Sequence, residues 1–334
     1  MGVVRVTKTP AHGGRWVPIF TVTFCLAALL LPLAGPFGLD FGRVRARQEP
    51  DWSILVQLRT SRTLMGLFAG GALALAGTLF QAMLRDALAT PYTLGISAGA
   101  ALGAVVAIWL GWQQIAGIPA IWMAAIAGAA VVLALVVGSA LQQRRVSSFG
   151  LLLSGLAANS MCSALIIVIY GLVSVTKSFS ISRWLIGSVD SLDYATLTAF
   201  IAVVIAASVA VMRQAKAWNL MAVDPSWAAT RGARVNALTL CGYGAGSLLT
   251  AATVAFTGPI GFVGLIVPHL IRTRISADHR VLMPCAFLGG GILLAGCDAI
   301  GRVVIAPSEI PAGAVMAILG GPYLVWVLRH RAAA

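Results

Sequence analysis

Long apolar runs separated by short polar clusters set the pattern of this chain. A helix crosses the hydrocarbon core of a bilayer in about 20 apolar residues. Ten runs meet that measure: Trp16–Phe37, Thr63–Leu84, Tyr92–Trp112, Ile118–Leu141, Phe149–Val173, Tyr194–Met212, Val235–Phe256, Gly258–Ile275, Val281–Ile300 and Pro311–Leu328. The pattern predicts an all-α polytopic membrane protein of about ten transmembrane helices, forming one transmembrane domain over residues 1–334. The eighth run is short and opens on Gly258-Pro259, so a re-entrant hairpin is the competing reading for it.

One connector departs from simple loop composition. Between the sixth and seventh runs lies Asn219–Arg234, NLMAVDPSWAATRGAR, too polar for lipid and punctuated as a short helix. Asp224 suits an N-cap, and Pro225 suits the first helical position, where its missing N–H costs nothing. Gly232 can take the left-handed conformation that closes a helix. Such a segment is either a passive amphipathic connector or a surface on which another protein acts.

The basic residues decide the eighth run. They concentrate on the cytoplasmic side of membrane proteins. With an internal N-terminus and ten full crossings, 15 of the 23 lysines and arginines lie inside and 8 outside. A re-entrant eighth run would give 11 against 12, so the full crossing is expected, with both termini and Asn219–Arg234 cytoplasmic.

Composition adds exclusions. Of 334 residues, 59% are hydrophobic and 10% charged, and the mean hydropathy is +0.93; a soluble domain of this size does not carry such a surface. The formal charge of +13 is spread in short clusters between spans, which reads as topology signal rather than a nucleic-acid face. The first apolar run follows Arg5, Lys8 and Arg15; it is long for a signal peptide and reads as a retained span. Five cysteines without a C-x-x-C pair read as small packing residues rather than metal ligands.

Small residues mark where helices approach closely. Gly66 with Gly70, Gly99 with Gly103, and the run Gly289–Gly291 are such faces. Residues 63–104 and 236–271 share an order of Gly/Ala-rich span, proline-containing break and Gly-rich short segment, which suggests an inverted repeat. Two motifs are decoys. Gly95-Ile-Ser97-Ala-Gly99 matches a nucleophile elbow but opens a membrane helix rather than a strand-to-helix turn, with His12, His269, His279 and His330 all on the cytoplasmic side. Gly242-Tyr-Gly244-Ala-Gly246 imitates a phosphate loop inside a span. No lysine follows a glycine, so the chain has no Walker-type nucleotide site and is not expected to be an enzyme.

Ionisable groups within spans are few. Asp298 stands four residues before Arg302 on one helical face and reads as a structural pair. An ion-coupled secondary transporter is the alternative function, and it needs coupling groups near the midplane, for which one acid is thin support. In the fifth span Asn159, Ser163 and Tyr170 share a face with Ile166. They are either interhelical hydrogen-bonding groups or the polar lining of a substrate pathway.

The run from Arg59 to Gly103, RTSRTLMGLFAGGALALAGTLFQAMLRDALATPYTLGISAGAALG, resembles the permease subunits of bacterial ABC importers for iron-siderophore, haem and cobalamin. So do GPIGFVGLIVPHLIR at Gly258–Arg272, Asp278-His279-Arg280, Asp298 with Arg302, Glu309-Ile-Pro311-Ala-Gly313 and Gly321-Pro322, in family order from Arg59 to the C-terminus. The resemblance implies a homodimer with the substrate conduit at its two-fold interface. It also implies two cytoplasmic ATPase subunits carrying ATP and Mg, and a periplasmic substrate-binding protein. It makes 219–234 the coupling helices, with Asn219, Leu220, Asp224, Pro225, Trp227, Arg231 and Gly232 as ATPase-coupling positions. It makes Arg59, Arg62 and Arg302 the docking cations for acidic groups of the binding protein.

Three positions depart from the family pattern: Asp86-Ala-Leu-Ala replaces Asn-Pro-Leu-Ala after the second span, Asp224 stands where glycine is common, and Arg231 where leucine is common. Arg231 points to an acidic complement on the ATPase. Lys177 and Arg183 near the outer mouth suit an anionic chelate and join Asn159, Ser163 and Tyr170 as pathway candidates. The expected function is an inner-membrane importer permease with no cofactor or metal of its own. Ferric siderophore is the first choice of cargo, with haem and cobalamin next.

Overall fold

A computed structural model describes residues 13–36, 38, 40–115, 118–141, 148–306 and 308–332. Arg5, Lys8, His12, Arg144 and Arg145, which entered the charge and motif arguments, lie outside the described residues.

The chain is helical almost throughout. The first crossing is α1 (Trp16–Leu30), continued by a 3-10 turn at Leu31–Leu33. After α2 (Phe41–Arg45), α3 (Asp51–Ser53) runs without a break through a π-helical turn, Ile54–Thr60, into α4 (Ser61–Leu84). The second crossing is thus one helix of 34 residues, starting twelve residues before the apolar run that signalled it. Gln57, Arg59 and Arg62 hid this extension, because a helix that rises above the hydrocarbon needs no apolar residues there. Then come α5 (Ile96–Leu110), a two-residue pairing of β1 (Gln114–Ile115) with β2 (Ile118–Pro119), α6 (Ala120–Leu141) and α7 (Ser148–Leu172). The short α8 (Val175–Ile186) precedes α9 (Tyr194–Met212), whose ends are those expected from its hydropathy. The polar connector forms α10 (Ala215–Val223) and α11 (Pro225–Thr230). The last four helices are α12 (Val235–Thr257), α13 (Val263–Arg274), α14 (His279–Val303) and α15 (Ala312–Ala332).

Helix α4 is the centre of the bundle, and nearly all of its side chains are buried. It packs on α14 through glycines: a Cβ on Gly70 would sit 2.2 Å from the Gly290 carbonyl, so the two backbones touch. In lipid such contacts supply the packing that holds spans together. On its other side Gly77 meets Gly264 of α13 equally closely, and Phe80 packs edge-on against Tyr243 of α12.

The eighth apolar run is helical only in its second part. Helix α13 has only 12 residues, about 18 Å of rise, too short for a core of about 30 Å. The five residues before it, 258–262, are non-helical and turn at Phe262, where the Val263 amide donates to the Gly261 carbonyl. Non-helical backbone at that depth must be covered by protein, and here it is. Gly258 and Ile260 are buried, and the preceding Thr257 accepts from the Ser188 amide. The two ends of the segment lie against different parts of the bundle. One end meets the loop after α8, and the other leads to Asp278, which accepts from Asn219 of α10.

If α1, α4, α5, α6, α7, α9, α12, α13, α14 and α15, among the described residues, are the ten crossings expected from sequence, their directions alternate, with α8 set apart. The beginning of α1, the α10–α11 connector and the end of α15 therefore share one face, called the near face below. The internal echo also survives. Long α4 leads to short α5, and long α12 to short α13. Each short helix begins after a left-handed residue, Gly95 at φ 74° and Phe262 at φ 68°, and the two units run in opposite senses.

Candidate functional site

The near-face element is built as its sequence promised. The Asp224 carboxylate accepts from the amides of Ser226 at 2.8 Å and Trp227 at 3.0 Å, and from the Ser226 hydroxyl, with Pro225 in the first turn. Those bonds to the Ser226 hydroxyl and the Trp227 amide, aided by Arg85, hold its carboxyl below the usual carboxylate range. Gly232 closes the helix at φ 82°; its amide donates to Ala229 and the next amide, of Ala233, to Ala228. That pair of bonds satisfies two terminal carbonyls. The Arg231 guanidinium lies 5.0 Å above the Trp227 ring, so its charge is held along the helix rather than projecting freely.

Helix α10 is rooted in the bundle. Ala215, Trp218 and Met221 form its buried face, and the Trp218 ring fills the space left open by Gly242 against Met83. Asn219 fastens the helix sideways. Its Nδ2 donates to Asp278 at 2.7 Å, while its Oδ1 accepts from the His279 backbone N–H at 2.8 Å and lies 2.7 Å from His279 Nδ1. Burial raises the Asp278 carboxyl, but the Asn219 amide and the Arg280 N–H outweigh it and leave the group lowered. Arg85, at the end of α4, pairs with Asp224 at 3.4 Å. Val223 and Trp227 remain exposed, and Leu220 and Pro225 are half-buried. The element is thus anchored on α4, α12 and α14, and its exposed side chains mix Val223 and Trp227 with Lys216, Ser226, Thr230 and Arg231.

The turn that lacks the family proline has a substitute. Asp86 accepts from the Leu88 amide at 2.9 Å, and its carbonyl accepts from Ala89. This Asx turn fixes the bend by side-chain bonding instead of by a ring.

On the far face, charges cluster around Asp298. Arg62 donates to both of its oxygens, Nε at 3.1 and 3.2 Å and Nη2 at 2.9 Å, while Nη1 reaches Glu309 at 2.8 Å. Arg302 approaches from the other side, Nε at 3.1 Å. The i,i+4 pair expected from sequence is present and shares its acid with α4. Arg59, Arg62 and Arg302, the expected docking cations, are thus held by partners within the chain. Arg59 and Arg302 are 6% and 3% exposed, and they donate to the carbonyls of Leu33 and Ala34 in the loop after α1. That loop is apolar and gave no sequence sign of folding over them. With both its neighbouring arginines on it, Asp298 is not a free midplane acid of the kind ion coupling uses.

The pathway candidates do not converge on one site. Along α7, Asn159 and Ile166 are half-buried while Ser163 and Tyr170 are exposed, so the stripe follows the edge between the packed and open sides of the helix. Tyr170 Oη lies 3.0 Å from Ser182 of α8. Lys177 donates to the Trp109 carbonyl at 2.6 Å, closing the end of α5, and Arg183 is exposed. Sequence reading missed α8 altogether. Its signal was an amphipathic spacing, Ile181 buried against Val105 and Ile169 with Val175 and Phe179 exposed, in a run too short to count as a span.

Comparison with known proteins places this arrangement. Residues 19–330 match the sequence profile of the FecCD transport family. The hemin transport system permease protein HmuU of Yersinia pestis is 34% identical over 328 residues, covering 95% of this chain and 98% of that protein. The vitamin B12 import system permease protein BtuC of Salmonella typhi is 34% identical over 323 residues, 94% of each. Among solved structures, an inward-facing metal-chelate type ABC transporter superposes with a TM-score of 0.83 at 27% identity, covering 95% of this chain and 99% of that one.

Proposed function

The chain belongs to the FecCD transport family and is the permease of an ABC importer of the metal-chelate class; from that premise we propose how it is driven and what it carries. The near face is cytoplasmic. Two copies enclose the conduit, each carried on the bacterial inner membrane by ten crossings. ATP and Mg are held by two partner ATPase subunits, and force enters through α10 and α11.

The observation that supports this reading is the construction of that connector. It is capped at both ends, bonded to the first turn of α14 through Asn219, and presents Val223 and Trp227 away from the bundle. A passive loop needs no such anchoring. A partner gripping Trp227 and Arg231 would instead move α14, and with it α4, as one body.

On the opposite face a periplasmic binding protein docks near the Arg62 cluster. Because Arg59 and Arg302 are covered, the acidic groups of that partner would compete with Asp298 and Glu309 for Arg62. Ferric siderophore is the proposed cargo, with haem and cobalamin as the other chelates of the class. Exposed Arg183, on the same short helix as Lys177, supports an anionic one.

Reconstitution tests the scheme. The chain alone in liposomes should move no chelate. The chain with its ATPase, loaded binding protein and ATP should move it. Nucleotide-independent uptake by the purified chain would overturn the proposal. Uptake of haem or cobalamin but not of a ferric siderophore would overturn only the cargo.

A further inference from the structure

Away from the coupling element, α1, α13 and α14 leave a groove of about 550 Å³ open to the membrane side of the bundle. Gly289 makes its floor: with no side chain there, Phe20 of α1 and Val267 of α13 stand as walls. Leu270 and Ile292 continue the lining, which is almost wholly hydrocarbon. Its one hydroxyl, on Thr23, is already used by the Ile19 carbonyl at 2.9 Å. An extended peptide could not lie here, because its backbone groups would find no partners at bilayer depth.

The near-face end of the groove is cationic. Arg274 lines it and is exposed. It lies two helical turns, about 10 Å, below Val267 along α13. Arg15 stands four residues before Ile19, so it shares the groove-lining face of α1 one turn nearer the surface. Among the described residues, neither arginine has a carboxylate within ion-pair distance. An apolar slot in the hydrocarbon region ending at two unneutralised guanidinium groups at the interface matches one ligand chemistry, an acyl chain bearing an anionic headgroup. We propose that this groove binds an anionic phospholipid of the bilayer, with one acyl chain along Phe20, Leu270 and Ile292 and its phosphate held by Arg274 and Arg15.

The test uses the full chain purified in detergent, with phosphatidylglycerol or phosphatidylcholine added at equal mole fraction. Thermal unfolding and native mass spectrometry read the result. Phosphatidylglycerol is expected to raise the midpoint by several degrees more than phosphatidylcholine and to remain bound in the spectrometer. Arg15→Gln with Arg274→Gln should remove at least half of that difference. Leu270→Trp, which fills the slot, should reduce the lipid retained. Arg213→Gln, which removes another exposed arginine outside the groove, should change neither readout. Equal stabilisation by both lipids, an undiminished difference in the double variant, or an equal loss in Arg213→Gln would each overturn the proposal.

Discussion

Asn219 donates its side-chain amide to the Asp278 carboxylate across 2.7 Å, joining α10 to the residue that caps α14. The same side chain accepts from the His279 backbone N–H. One residue of the connector is therefore bonded twice to the start of the helix that packs most intimately on α4.

A hydrogen bond to a charged partner contributes about 1.5–3 kcal/mol. Asn219→Ala should lower the unfolding midpoint modestly and reduce chelate transported per ATP in the reconstituted complex. Asn219→Asp should be worse, because it sets a second carboxylate against Asp278 and loses the amide donor. Transport per ATP unchanged in Asn219→Asp would show that motion does not pass through this contact.

The far-face cluster makes a graded prediction. Asp298 is buried between Arg62 and Arg302, whereas the Glu309 side chain is 43% exposed. Removing one partner of a buried ion pair costs about 3–5 kcal/mol, because the other charge is left uncompensated. An exposed pair contributes about 1 kcal/mol or less. Asp298→Asn should thus lower thermal stability severely and Glu309→Gln barely. Comparable losses in the two variants would mean that the pairs are screened alike.

Close backbone contact predicts intolerance at Gly77. A Cβ there would lie 1.9 Å from the Gly264 carbonyl, while one on Gly138 of α6 meets nothing within 4 Å. Gly77→Ala should force α13 from α4 and leave little folded protein in the membrane fraction. Gly138→Ala should express normally, and the change favours helix by about 1 kcal/mol. Normal yield and midpoint in Gly77→Ala would contradict the packing.

Local chemistry was legible and long-range pairing was not. Asp224, Pro225 and Gly232 announce a helix because capping involves residues two to five apart, and the structure forms that helix between them. Helix α9 has the ends its apolar run gave, because little but hydropathy decides them. Asn219 could be suspected, but its partners stand 59 and 60 residues away, and no spacing rule reaches that far. Arg59 and Arg302 had their partners out of reach for the same reason. Their burial depends on where the Leu33–Ala34 turn lies, and an arginine among outer-loop residues looks exposed until that turn is placed. The brokenness of the eighth crossing showed in Gly258-Pro259, whereas its extent did not. Its non-helical part covers 258–262, ahead of a helix of only 12 residues.

The Asp224 cap carries a pH dependence whose sign is fixed. Hydrogen bonds from the Ser226 hydroxyl and the Trp227 amide lower its carboxyl relative to the unfolded chain, where an aspartate titrates near about 3.9. A lowered acid contributes its stabilisation fully above the unfolded value and loses it as pH falls through the folded one. Hydrogen exchange at the Ser226 and Trp227 amides should therefore show constant protection of α11 from neutral pH down to about pH 5. Protection should then fall away below about pH 4. Asparagine also caps helices, so Asp224→Asn should keep the helix and lose that acid transition, along with the ion pair to Arg85. If protection were already lost near pH 6, or if the asparagine variant kept the same acid transition, another group would control the end of this helix.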